Sequence, residues 1–234
     1  MSRLLFALLV FLAAEAVSED FDPTQSHLLY AVKGQRSDVV PWRKLDRSDF
    51  QGEAPPPNLV DHAGLIGAVS CVGISLPPDA GAAISLERLA TGQRRYGARL
   101  YQPRFTAVFD KLCSWWNPNS DDPRYLLEHE QLHFDLTEVA ARRLSQELIA
   151  GTKSIATRAA TQEAAIAKLD ARIGILTKTA LKALRERHSR LDQETSVERS
   201  PERQADWVRR VAAELALTPR ELTHPTARVP PPGQ

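Results

Sequence analysis

The chain has 234 residues, 43% of them hydrophobic and 25% charged, and a formal net charge of +1. That length and composition fit one ordinary domain with a real core and a normally solvated surface. The near-neutral balance of 30 basic and 29 acidic residues gives no electrostatic reason to expect nucleic acid or an anionic membrane surface as partner.

The amino terminus reads as a secretory signal peptide over residues 1–16. Arg3 supplies the short positive region, Leu4 to Ala14 form an unbroken apolar run, and Ala14-Glu15-Ala16 offers small residues for cleavage. The run is too short for the ~20 apolar residues of a membrane span. The expectation is a mature chain from about Val17, periplasmic or extracellular, and not an integral membrane protein once the leader is removed. Cys71 and Cys113 are the only cysteines. In an oxidising compartment they form either a disulfide or two separate buried thiols, and sequence leaves both open.

Residues 17–217 are expected to form a single domain. From Val17 to about Trp116 the chain alternates strand-rich stretches with turns. Leu28 to Val32, Leu65 to Leu76 and Ala98 to Leu112 carry the apolar and aromatic residues, and Pro55-Pro56-Pro57 and Pro77-Pro78-Asp79 punctuate them. From Pro123 the pattern becomes helical. Asp122 suits the N-cap, Pro123 the first turn and Gly151 the stop. A second helix is expected from about Thr152 to His188, on an apolar stripe through Ile155, Ala159, Ile166, Leu169, Ile173, Leu176, Ala180 and Leu184. Ser200-Pro201 opens a third, ending near Leu217, and residues 218–234 read as a flexible proline-rich tail. Strands followed by helices predict an α+β fold.

Within the first helix stands His129-Glu130-Gln131-Leu132-His133. Residues four apart on a helix share a face, with Cβ atoms ~5–6 Å apart. Two imidazoles so placed can converge on one Zn²⁺ at ~2.0–2.1 Å. Glu130, one step round, can take a proton from a zinc-bound water, making Glu130 a general base for peptide hydrolysis. The competing reading is a solvated helix face with two unremarkable histidines. Asp135 and Glu138 turn away from the shared face at about 100° per residue, so a third ligand must come from a later segment. Trp115 and Trp116 read as core or cleft-wall aromatics, and Asp49-Phe50 as a turn and a core contact. His27, His62 and His224 show no metal spacing.

From about Trp42 to Leu215 the sequence resembles a bacterial family, domain of unknown function 922, described as secreted zinc-dependent proteases. The resemblance starts at Leu45-x-x-x-Asp49-Phe50-x-Gly52. It continues through Ser114-Trp115 and the longer string Leu126-Leu127-Glu128-His129-Glu130-Gln131-Leu132-His133-Phe134-Asp135. It implies a zincin-like fold, zinc held by His129 and His133, and Glu130 as catalytic acid/base. The family's third signature, Tyr-Asp-x-x-Thr-x-His-Gly followed by Gln-x-x-Trp, is matched here by Leu191 to Glu198, then Gln204 and Trp207. Val197 stands where the family has its histidine. Glu198 is therefore expected as third ligand, with Glu194 or Asp192 as alternatives, and His188 as a helix-ending dipole partner.

The sequence thus predicts an exported zinc metallopeptidase acting on a peptide or protein. The runner-up is an envelope binding protein that keeps the fold around a degraded site. A third reading is a helical adaptor that uses the Thr152 to His188 stripe as its interface.

Overall fold

The computed structural model describes residues 27–30, 38–57, 59–60, 64, 66–76, 81–101, 103–150, 156–196 and 199–219. The expected leader over residues 1–16 lies outside them. The architecture is α+β, with two sheets followed by long helices.

The first sheet holds β1 (His27–Tyr30), β2 (Val39–Pro41), β3 (Ala68–Ser75), β6 (Thr106–Asp110) and β7 (Trp115–Trp116). Its order is β1-β3-β6-β2, and β7 pairs with β3 beside β6. The pairings are antiparallel except β1 with β3. β3 is buried along all but its last residue, and apart from Ser70 and Ser75 it consists of apolar residues and Gly73, as a central strand covered on both faces needs. Cys71 of β3 forms a disulfide with Cys113, settling the pairing that the sequence leaves open.

The second sheet is antiparallel: β4 (Gly81–Arg88), β5 (Arg94–Tyr101) and β8 (Thr157–Ala159). Gly92, at φ 81°, occupies the left-handed position in the β4–β5 turn. The stretch Ala98 to Leu112 is two strands rather than one. Its first residues belong to β5 and its later ones to β6, in separate sheets.

Helix α1 (Pro123–Ile149) matches the sequence expectation closely. The Asp122 carboxylate accepts from the Tyr125 amide, and Pro123 occupies the first turn. The helix is sandwiched, packing on β3 and β6 one way and on α2 (Gln162–Thr195) and α3 (Pro201–Leu217) the other. Phe134 points to the first sheet, where Phe109, Phe50 and Trp116 meet it. Leu132, Leu136, Val139 and Leu144 join the core formed with α2, α3 and the second sheet. Trp115 and Trp116 are buried core residues.

Helix α2 departs from the expected span at both ends. Thr157–Ala159 pairs with β5 instead of starting the helix, and Thr161 caps it, its hydroxyl accepting from the Ala164 amide. The helix then runs past His188, because Leu191, Asp192 and Thr195 extend the buried stripe at steps of three and four. Ile166, Leu169, Ile173, Leu176 and Leu184 are covered within the monomer, so the described stripe is core and not an adaptor surface. Thr218, expected to begin the flexible tail, is buried, and its carbonyl accepts from Arg142. Residues 220–234 lie outside the described set.

Candidate metal centre

One turn of α1 places His129 and His133 on a common face, and their rings converge at 85° with centroids 4.7 Å apart. Their Nε2 atoms lie 3.0 Å apart. The third group is Asp192, from the last turns of α2. Its Oδ1 is 3.1 Å from His129 Nε2 and 3.0 Å from His133 Nε2. Three donor atoms at such separations approach the ~3.3 Å spacing of ligands set ~2.0 Å from a tetrahedral centre. Two imidazole nitrogens and a carboxylate oxygen serve Zn²⁺ and other first-row divalent ions. The residues present therefore fit a metal.

Hydrogen bonding fixes the proton on His129. The Thr195 hydroxyl gives its single hydrogen to the Leu191 carbonyl, 2.7 Å away. Towards His129 Nδ1, at 3.2 Å, it can then only accept. Nδ1 carries the proton, and the neutral ring is left with a bare Nε2 facing the Asp192 carboxylate. Two acceptors that close repel unless a cation or a proton sits between them. Burial disfavours charge on His129, yet the Asp192 carboxylate outweighs it, with Glu130 adding to the effect, and raises the ring's pKa above its ordinary value.

Glu130 is 1% exposed. Burial pushes its carboxyl up to about 7, against the pull of His129. Ser70 of β3 faces it and offsets part of that penalty, although neither Glu130 Oε2 nor the Ser70 hydroxyl completes a hydrogen bond of good geometry. Ser196 is exposed, yet its hydroxyl is 3.3 Å from His129 Nε2. The donor triangle thus lies one residue beneath the surface.

Of the expected third ligands, the structure brings in Asp192. Glu194 turns to the other side of α2 and accepts from Trp207 Nε1 at 2.8 Å. Val197 and Glu198 lie outside the described residues. His188 does not end its helix. It is fully buried in mid-helix, with Nδ1 3.0 Å from His133 Nδ1. Sequence reasoning misses Thr195 and this role of His188. His188-x-x-x-Asp192-x-x-Thr195 lines one helical face, a signal visible only once α2 is extended to Thr195.

The flanking motif residues hold the frame. Asp49 closes a capping box with Asp46, and Phe50 packs on Phe109 and Trp116. Gly52 runs so close to Ser114 that a Cβ there would stand 2.9 Å from its carbonyl oxygen. Leu45 and Trp42 reach α1 directly, the Leu45 amide donating to Gln131 and the Trp42 indole to Asp135. Gln204 ties α3 to the start of α1 through the Tyr125 carbonyl and Glu128. Compared with known protein families, with curated proteins and with solved structures, the chain finds no match.

Proposed function

We propose that this protein is an exported zinc metallopeptidase with a zincin-like fold, in which His129, His133 and Asp192 hold the metal and Glu130 is the acid/base. The observation that carries this reading is the convergence of three buried donor atoms within 3.0–3.1 Å of one another. Beside them stands a carboxylate whose Oε2 has no hydrogen-bond partner. A zinc ion bound there would lower the pKa of a water molecule towards ~7 and polarise a peptide carbonyl. Glu130 takes the proton from the attacking water as its oxygen bonds to the carbonyl carbon. The carboxylic acid then gives that proton to the departing amine as the C–N bond breaks. The Cys71–Cys113 disulfide supports an oxidising compartment outside the cytoplasm. Among the described residues, no helix is long and apolar enough to cross a membrane.

Burial favours a second reading. His129, His133, Asp192 and Glu130 are each 2% exposed or less. A closed metal site clasping α1 to α2 in an envelope binding protein would look the same. Glu130→Gln separates the two when zinc content and hydrolysis of a casein-type substrate are measured together. The peptidase reading expects a wild type that cleaves and a variant that keeps its zinc and loses turnover. Unchanged turnover in the variant overturns the role of Glu130, and zinc-loaded wild type that cleaves nothing leaves the closed centre.

A further inference from the structure

We propose that His188 is the positioning residue of this centre, a buried neutral imidazole that holds His133 in the tautomer whose Nε2 lone pair faces Asp192. The inference rests on the metal-centre reading and extends it to a residue outside the ligand set.

Single hydrogens can be followed around a closed circuit. The Thr137 hydroxyl donates its only hydrogen to the His133 carbonyl, 2.8 Å away on the same helix. Towards His188 Nε2, at 3.5 Å, that oxygen can only accept, and this long contact sets direction more than strength. His188 Nε2 therefore carries the hydrogen, and in the neutral ring Nδ1 is bare. His133 Nδ1 faces that bare nitrogen at 3.0 Å and so must be the donor. With its hydrogen on Nδ1, His133 presents an unprotonated Nε2 at 3.0 Å from both Asp192 Oδ1 and His129 Nε2. Thr195 performs the same service for His129 by the same logic. The tautomer of each ligand imidazole thus traces to a partner on α2.

Metal-bound histidines usually donate their second N–H to a carboxylate, a carbonyl or water, which orients the ring and tunes its basicity. Here the outer partner is another imidazole, with ring centroids 4.8 Å apart and an angle of 36° between planes. A neutral acceptor at this place adds no negative charge to a site that already holds Asp192 and Glu130. His188 is 0% exposed, so water does not compete for its hydrogen bonds.

The test is titration of the metal-free full chain with Zn²⁺ alone, comparing wild type, His188→Phe and His188→Asn. The Phe ring fills the space and removes the acceptor, whereas the Asn amide oxygen can stand in for Nδ1. The expected result is a loss of about 10–100-fold in zinc affinity for the Phe variant, with the Asn variant recovering most of it. Wild-type binding matched by the Phe variant overturns the role of His188 alone, as does an Asn variant that loses as much as Phe. Wild-type protein that takes up no zinc overturns the centre and the role together. Imidazole ¹⁵N–¹H correlation spectra of the wild type give a readout that requires no variant to fold. Nδ1–H on His133 is expected, and a His133 ring that carries its only hydrogen on Nε2 in the metal-free protein overturns the proposal.

Discussion

Helix α1 buries two carboxylates on the sheet side, eight residues apart, and treats them in opposite ways. Glu138 is completed. Its Oε1 accepts from Arg142 Nε at 2.8 Å, and its Oε2 from the Ala107 amide at 2.9 Å and the Thr106 hydroxyl at 3.2 Å. Arg142 in turn donates to the Leu215 and Thr218 carbonyls and stacks 5.0 Å from the Trp42 ring centroid. Glu130 is equally buried, yet its Oε2 has no partner and its neighbours include His129 and Asp192. A folded chain ordinarily satisfies its buried polar groups, so a polar group left open inside a well-packed helix calls for another cause. The contrast separates a polar cluster that locks α1 to β6 and α3 from one arranged to receive something.

The contrast can be broken from either side. The largest stability effect is expected at the completed cluster, where Arg142→Ala strands the Glu138 charge. It should cost about 3–5 kcal/mol in urea unfolding while zinc stoichiometry in the folded protein stays the same. A loss below about 1 kcal/mol would show that the pair is not the lock described. At the open cluster, His133→Ala removes a direct ligand. Zinc affinity should fall by more than the roughly 100-fold that marks the upper end for outer partners. Binding that survives within tenfold of wild type would contradict the assignment.

Glu130→Gln sharpens the comparison through its sign. Replacing a buried carboxylate whose Oε2 has no hydrogen-bond partner by a neutral amide should leave metal-free stability within about 1 kcal/mol of wild type or raise it. A drop approaching that of Arg142→Ala would mean that Glu130 is a structural group after all. The smallest effect is expected at a third carboxylate, Asp49. Burial works to raise its pKa, but the Arg43 hydrogen bonds, the Asp46 amide and Lys111 together hold it below the ordinary value. A depressed folded-state pKa means that the pairing stabilises the fold above the ordinary carboxylate range and is lost as pH falls through the lowered value. Arg43 is 40% exposed, so Arg43→Ala should cost roughly 1 kcal/mol or less at neutral pH. The variant's stability should also decline less than wild type on acidification, as read by denaturation at a series of pH values.

Features set by local chemistry are legible in the sequence. Asp122-Pro123 and Ser200-Pro201 announce helix starts because a cap and a missing N–H act within one turn. The i, i+4 spacing of His129 and His133 is likewise local, and their convergence follows from helix geometry. Asp192, 63 residues further along the chain, is brought in by packing of α2 on α1, which no short pattern encodes. The expected end of α2 hides it further, since a helix stopping at His188 makes that histidine a terminus and leaves Asp192 in a loop. Strand β8 escapes a pattern search because Thr157–Ala159 gains its identity from pairing with β5, a partner about 60 residues upstream. The Cys71–Cys113 pairing stays open in the sequence for the same reason, as sheet register brings the Cα atoms to 5.7 Å.

Metal analysis of the purified full chain, dialysed against zinc and then freed of excess, addresses the central claim most directly. The account predicts about one zinc per chain for the wild type and close to none for His133→Ala. A folded wild type that holds no zinc after that treatment would contradict it.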